Sequence, residues 1–421
     1  MVKNREVVGF IVIALLSAAT YYNFFLDDAF ISLRYAKNLA EHGSLSYNLG
    51  ERVEGITNFG HTLLLSFFRT YRHPLFMIKL VSLLGFIASV ILFYFITENK
   101  GITLLLAIDG FYSAWANDGL ETSVFTTLLL LGLLLAEKKH FLSSGLVLGF
   151  SSWWRIEGLL LGAILFYKYK DKRQLWFIAP FTLLSAFRLW YFGSLIPHTF
   201  PAKLALYNIF LSGWDKLFMV FVKIAAVSVF YPLLIFNYLK NIRDPVAWFP
   251  LLLFFGYSMT PIGGLRYIAY GVPFLLLFTK KVPKAYFVYV LLVSLGLHFY
   301  LMGQGPSMEA FTSVSKNIAS LNDGSPVAVA DAGLLGFYQN DTRVIDVLGL
   351  NSKEASDYLF RRDFIGLCSY LKSQDIKYAV LSQDKVSLEL EKCLNFCNRS
   401  FTKSYAPLVY SGATIKVYEC G

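Results

Sequence analysis

Asp27 and Asp28 stand side by side directly after the first long apolar run, which fixes two carboxylates where a membrane-spanning helix leaves the bilayer. A carboxylate held there is placed to take the proton of a hydroxyl nucleophile as a general base. Its neighbour can cap the helix that follows by accepting an orphan amide of the first turn. Together they could also hold a hard divalent cation, although two adjacent aspartates without further ligands are a weak metal signature. A second acidic site is Asn117-Asp118-Gly119-Leu120-Glu121-Thr122, where Asp118 and Glu121 have capping-box spacing for a helix beginning near Leu120. Arg155 and Glu157 occupy a turn between two half-length apolar runs and can pair with each other. The segment from Pro197 through His198 to Lys203, and later Arg266-Tyr267, add cations on the same side of the membrane. Arg and Lys stabilise the charge that gathers on a phosphate leaving group; their plainer use is to bind ordinary lipid headgroups. Asp109 and Lys223 fall inside apolar runs, where a charge is costly.

These residues need elements to position them. Ala29 to His42 puts Arg34, Lys37, Asn38 and Glu41 on one helical face and Phe30, Leu33, Ala36 and Ala40 on the other, with Gly43 as a stop signal. That pattern predicts an amphipathic helix lying in the membrane interface. Apolar runs near 7–26, 75–97, 102–117, 122–136, 141–154, 156–168, 174–192, 217–239, 246–259, 265–279 and 284–302 predict eleven membrane spans. The runs within 141–168 are short and read as broken or re-entrant helices. Gly145-x-x-x-Gly149 and Gly158-x-x-x-Gly162 let backbones approach closely within the bundle. At ten residues the apolar stretch 59–68 is too short to cross and reads as an interfacial piece.

Of the 421 residues, 56% are hydrophobic and 16% charged, against about 25% charged in a soluble protein. The fold class expected is therefore mainly α: a polytopic membrane domain over 1–303, with a long outer loop at 27–74, followed by an extracytoplasmic α/β domain over 304–421. The formal charge of +10 sits in the first part, with 26 Lys and Arg against 15 Asp and Glu, whereas 304–421 has 12 against 13. A nucleic-acid footprint would instead cluster on one soluble face, so no nucleic-acid partner is expected. With a cytoplasmic N-terminus the inside loops hold 14 Lys and Arg and the short outside links 4. The positive-inside rule then places loop 27–74 and the C-terminal domain outside, which for a bacterial inner membrane is the periplasm. Cys368, Cys393, Cys397 and Cys420 all lie in that domain, as expected for an oxidising compartment; one or two disulfides are predicted, and the three full pairings stay open. Short strands are predicted near 326–330, 343–347, 376–381, 405–410 and 413–419, and helices near 353–373 and 385–397.

The run from Asp27-Asp-Ala-Phe-Ile-Ser-Leu-Arg-Tyr to Leu39, continued by Tyr47-Asn-Leu-Gly-Glu-Arg-Val-Glu-Gly55, resembles the first outer loop of the GT-C superfamily of integral membrane glycosyltransferases. It is most similar to the bacterial branch that includes the mycobacterial terminal arabinofuranosyltransferases. Further matches follow in order: Gly119-Leu-Glu-Thr122, Arg155-Ile-Glu-Gly158, Pro197-His-Thr-Phe200 with Ala202-Lys203, Arg266-Tyr267, Val329-Ala-Asp-Ala-Gly333 and Ile345-Asp-Val-Leu-Gly-Leu350. Two positions depart from the pattern, Ile156 where members often carry proline and His198 where they carry asparagine. The resemblance implies transfer of a sugar from a polyprenyl-phosphate carrier to a hydroxyl on the periplasmic side, with the lipid bilayer and a glycan acceptor such as lipopolysaccharide as further partners. It implies Asp27, Asp28 and Glu121 as the acidic catalytic groups. Arg34, Arg155, His198, Lys203, Arg266 and Tyr267 are implied as contacts to donor phosphate or acceptor. The competing expectation is a transporter or flippase of a lipid-linked precursor; the inverted repeats typical of that class are not found in the sequence. No Gly-rich nucleotide-binding loop is present, which disfavours a soluble nucleotide-sugar donor.

Overall fold

The computed structural model describes residues 4–68, 71–210, 213–232, 238–259, 266–279, 282–302, 305–340, 342–382, 384–404 and 414–420. It is mainly helical, with one small sheet near the C-terminus. The first helices are α1 (Asn4–Thr20), α2 (Asp28–His42), α3 (Phe59–Ser66), α4 (Pro74–Thr97), α5 (Lys100–Ile108), α6 (Gly110–Ala116), α7 (Thr122–Glu137), α8 (Phe141–Ser151), α9 (Glu157–Tyr169), α10 (Ile178–Phe192), α11 (Thr199–Phe210) and α12 (Gly213–Phe230). Among the described residues, three segments are helical, long and apolar enough to cross a membrane: Pro74–Thr97, Lys172–Phe192 and Lys284–Leu301.

Several expected spans are interrupted for identifiable reasons. The run 102–117 divides at Asp109, whose carboxylate accepts the Tyr112 amide at 2.6 Å and the Tyr231 hydroxyl at 3.0 Å, so a new helix starts inside the apolar run. Lys223, the other charge inside an apolar run, donates to the Tyr257 carbonyl. The run 141–168 is a pair of half-length helices, α8 and α9, with Arg155 at the turn between them. A Cβ at Gly149 would lie 2.3 Å from the Phe177 carbonyl and one at Gly145 2.6 Å from that of Gln174, so these glycines admit the backbone of 172–177 against α8. The 59–68 stretch yields only the eight residues of α3, roughly 12 Å of helix at 1.5 Å per residue, well short of a bilayer.

Helix α2 departs from its expected setting. Between Ala29 and Asn38 both faces are covered, with Arg34 and Asn38 buried along with Phe30, Leu33 and Ala36, so this stretch lies inside protein rather than on a lipid surface, while Ala40 to His42 are exposed. It packs on α3, α4 and the C-terminal helix Leu334–Tyr338. Gly43 ends it as expected, in the left-handed region at φ 67°.

After helix Gly305–Leu321 the chain forms β1 (Val327–Val329), β2 (Val344–Asp346), β3 (Tyr378–Leu381), β4 (Cys397–Ser404) and β5 (Thr414–Cys420), in the order β2-β1-β3-β5-β4. The short apolar runs β1, β2 and β3 are buried throughout and pair in parallel, Val327 opposite both Val344 and Tyr378. Strand β5 runs antiparallel to β3 and β4. The predicted strand 405–410 lies outside the described residues, and the preceding strand is β4. The predicted helix 353–373 is two helices, Lys353–Arg361 and Phe364–Ser373, because Arg362 turns left-handed and Asp363 caps the second. Cys368 bonds to Cys393 and Cys397 to Cys420, the latter pair closing β4 onto β5.

Candidate active site

The two neighbouring aspartates do different jobs. Asp27 Oδ2 accepts the Gly333 amide and Oδ1 the Leu334 amide, both at 2.8 Å, so both of its oxygens are held by the start of helix Leu334–Tyr338 in the C-terminal domain. A Cβ at Gly333 would lie 2.0 Å from the Asp27 carbonyl, which is why this approach needs glycine. Burial raises the Asp27 carboxyl above the usual carboxylate range, and the two amides pull it only part of the way back. Asp27 therefore caps a helix, as sequence reasoning allowed, but a helix of the other domain rather than its own. Asp28 is exposed and makes no hydrogen bond or ion pair with the described residues. Asp27 thus turns toward the C-terminal domain, while Asp28 faces the cavity described next. Among the described residues, no three His, Cys, Asp or Glu side chains converge as metal ligands.

Asp28 lines a small cavity together with Glu121, Thr199, Lys203, Arg266 and, from the C-terminal domain, Leu350. Glu121 is the hub of its charged wall. Oε1 meets Arg155 at 3.0 Å and Arg266 at 3.9 Å, and Oε2 accepts the Asn58 amide at 2.9 Å. Asn58 Oδ1 accepts the Ser32 hydroxyl at 3.0 Å, which fixes the orientation of that amide. Burial alone would raise Glu121, but Arg266 and Arg155 outweigh it and hold the carboxyl at about 2. A group so firmly ionised is a poor proton acceptor near neutral pH. Arg155 also pairs with Glu157 at 3.1 Å and donates to the Tyr257 hydroxyl at 2.8 Å. Its guanidinium lies 4.4 Å from the Tyr267 ring centre, and Tyr257 stacks on Tyr267. Arg266 donates to the Tyr267 hydroxyl at 2.9 Å, yet its Nη1, like the Thr199 hydroxyl, is buried without a hydrogen-bond partner among the described residues. Two unsatisfied polar groups on one cavity wall are each costly to leave unpaired, and a polar ligand would satisfy them.

Not every residue implicated by sequence faces this cavity. Arg34 is buried and donates to the carbonyls of Tyr47 at 2.7 Å, Thr342 at 2.8 Å and Gly336, which fastens α2 to the C-terminal domain. His198 meets the Gly349 carbonyl at 3.1 Å, and burial lowers its pKa from the ordinary histidine value. Both tie the domains together. Asn48 does the same, accepting the Val344 amide and donating to the Val344 carbonyl, each at 2.9 Å, so that its side chain pairs with the outer edge of β2. Asp118 makes no capping box with Glu121. It accepts the Leu120 amide at 2.9 Å and the Thr122 hydroxyl at 3.3 Å, and the helix starts at Thr122. Burial raises Asp118 to about 7, with Arg266 opposing. The Ile345–Leu350 segment owes its shape to Asp346, which accepts the amides of Leu348 and Asn351 at 3.0 Å in the turn that brings Leu350 to the cavity. Sequence reasoning missed Asn58, Ser32 and Tyr257. Thr199 and Asn58 lie within or beside the segments singled out above, whereas Tyr257 sits in an apolar run with no local signal.

A family model described as a domain of unknown function (DUF8728) matches residues 307–418, which takes in helix Gly305–Leu321 from its third residue and nearly all of the sheet. No curated protein matches the chain.

Proposed function

We propose that the chain is an integral membrane glycosyltransferase that moves a sugar from a polyprenyl-phosphate donor to a hydroxyl of an envelope glycan, such as lipopolysaccharide, at the outer face of the bacterial inner membrane. The observation that carries this reading is the shared cavity in which exposed Asp28 faces Lys203 and the incompletely satisfied Arg266. In this reading Asp28 takes the proton of the acceptor hydroxyl as its oxygen attacks the anomeric carbon. The bond from that carbon to the phosphate oxygen breaks, and the electron pair leaves on the polyprenyl phosphate. Arg266 and Lys203 meet the developing charge, and the Thr199 hydroxyl is placed to donate to the same anion. Glu121 holds Arg155 and Arg266 in position and stays ionised.

The broken helices fit the same reading. Polar backbone ends at membrane depth are tolerated where they are buried in protein or line a cavity, so the long and the shorter apolar helices together form eleven spans. The charge asymmetry of the loops supports a periplasmic cavity and C-terminal domain, and the two disulfides suit that compartment. The test is donor consumption by purified protein in detergent, with polyprenyl-phosphate sugar and extracted envelope glycan. Release of free polyprenyl phosphate is expected. A transporter consumes no donor without a sealed membrane, so intact donor across a panel of prenyl-linked sugars would set the enzyme reading aside.

A further inference from the structure

A second and larger depression, of about 430 Å³, lies between the outer end of α1, the start of α4 and helix Gly305–Leu321. Its volume is in the range of sites that hold small organic groups. Arg72, His73 and Lys316 line it, all exposed, and among the described side chains no carboxylate does. The Arg72 and His73 side chains make no hydrogen bond or ion pair with any described residue, and Lys316 lies 5.3 Å from the Tyr338 ring centre. The uncapped start of α4 adds the positive end of a 24-residue helix at His73 and Pro74. The rest of the wall is apolar or aromatic, and Phe76 and Tyr22 are left 56% and 47% exposed at its rim. Cations and open rings at one level are what a lipid headgroup with its attached chains requires: phosphate against the charges, hydrocarbon against the rings.

We propose that this groove binds the headgroup of an anionic phospholipid of the outer leaflet, its phosphate facing Arg72, His73 and Lys316 and its acyl chains passing over Phe76 and Tyr22. The leaflet assignment rests on the orientation proposed above; the binding itself does not rest on glycosyl transfer. The groove shares no lining residue with the Asp28 cavity, so the lipid would be a resident of the fold and not a reactant. Its position between α1, α4 and the first helix of the C-terminal domain makes it a further fastening of that domain to the membrane part.

The test compares the full chain, the double variant Arg72→Gln/Lys316→Gln and the control Lys138→Gln/Lys139→Gln in bilayer discs of equal phosphatidylglycerol and phosphatidylcholine. Lipids retained after gentle extraction are counted by native mass spectrometry. A cation near an anionic lipid surface contributes roughly fivefold to binding. Two such cations multiply to roughly 25-fold, so the wild-type chain is expected to retain phosphatidylglycerol roughly 25-fold over phosphatidylcholine, the double variant to fall to parity, and the control to keep the preference. No preference in the wild type would overturn the proposal, as would a preference that survives the double substitution or is lost equally in the control. Transfer activity does not enter the readout, so failure of the enzyme reading leaves this result to stand or fall by itself.

Discussion

Replacing Glu121 with glutamine keeps the shape of the side chain and removes one charge from a buried cluster. Arg155 and Arg266, whose side chains are 11% and 7% exposed, would then face each other across a neutral amide. Arg155 keeps Glu157, but Arg266 loses its carboxylate, and removing one partner of a buried ion pair typically costs about 3–5 kcal/mol. The titration of the group gives a second route to the magnitude. Its carboxyl is lowered from 4.5 to about 2, a shift worth ~3 kcal/mol at ~1.4 kcal/mol per pH unit. A depressed carboxyl contributes its stability above the unfolded value and loses it as pH falls toward the folded one. The stability gap between wild type and Glu121→Gln should therefore be ~3 kcal/mol at neutral pH and close as pH drops from 4.5 to about 2. Thermal unfolding of both proteins in the same detergent over that range measures the gap directly. A gap near zero at neutral pH, or one that does not change with pH, would refute the reasoning that Glu121 is the ionised organiser of the site.

Other outcomes follow from the domain contacts. Asp27→Asn can accept only one of the two amides it now holds, so it should cost about 1–3 kcal/mol and speed exchange of the Gly333 and Leu334 amides in mildly alkaline buffer; unchanged exchange would count against the capping role. Asn48→Ala leaves the Val344 amide and carbonyl buried without that partner and should cost a similar ~1–3 kcal/mol, read as earlier proteolysis of the C-terminal domain than in wild type. All described cysteines are in disulfides, so Thr57→Cys, at an exposed position lining the Asp28 cavity, adds a single free thiol. A membrane-impermeant maleimide should label it in spheroplasts; labelling only after lysis would invert the assigned orientation.

The sequence carried the parts of this fold that depend on local pattern and lost those that depend on distant partners. Alternation of apolar runs with charged loops located the helices, and four of the five described strands were found because short buried apolar runs are bounded by turn residues. The amphipathic pattern of α2 was real, but its polar face meets the C-terminal domain, about 300 residues away in the chain, rather than water or headgroups. Periodicity states only that one face is polar and cannot say what covers it. The carbonyl partners of Arg34 and His198 were invisible for the same reason: a polar side chain satisfied by remote carbonyls and one facing a ligand look identical in one dimension. Asp109 broke a span that hydropathy drew as continuous, because a single capping carboxylate barely lowers a window average. The separation of Asp27 from Asp28 could be foreseen only as an alternative, since adjacent residues on a helix point about 100° apart and only tertiary contacts decide which one is enclosed. The cluster around Glu121 was half legible, its charges visible in the sequence and its Asn58 and Tyr257 partners not.

The sharpest test sets Asp28→Asn beside Asp27→Asn in a single-turnover transfer assay with bound prenyl-phosphate sugar. Loss of a general base should slow the chemical step of Asp28→Asn by roughly 10²–10⁴-fold with donor affinity unchanged, while Asp27→Asn loses stability and keeps a measurable rate. If Asp28→Asn turned over like the wild type, or if Asp27→Asn alone abolished the chemical step in a folded protein, the assignment of the two aspartates would be contradicted.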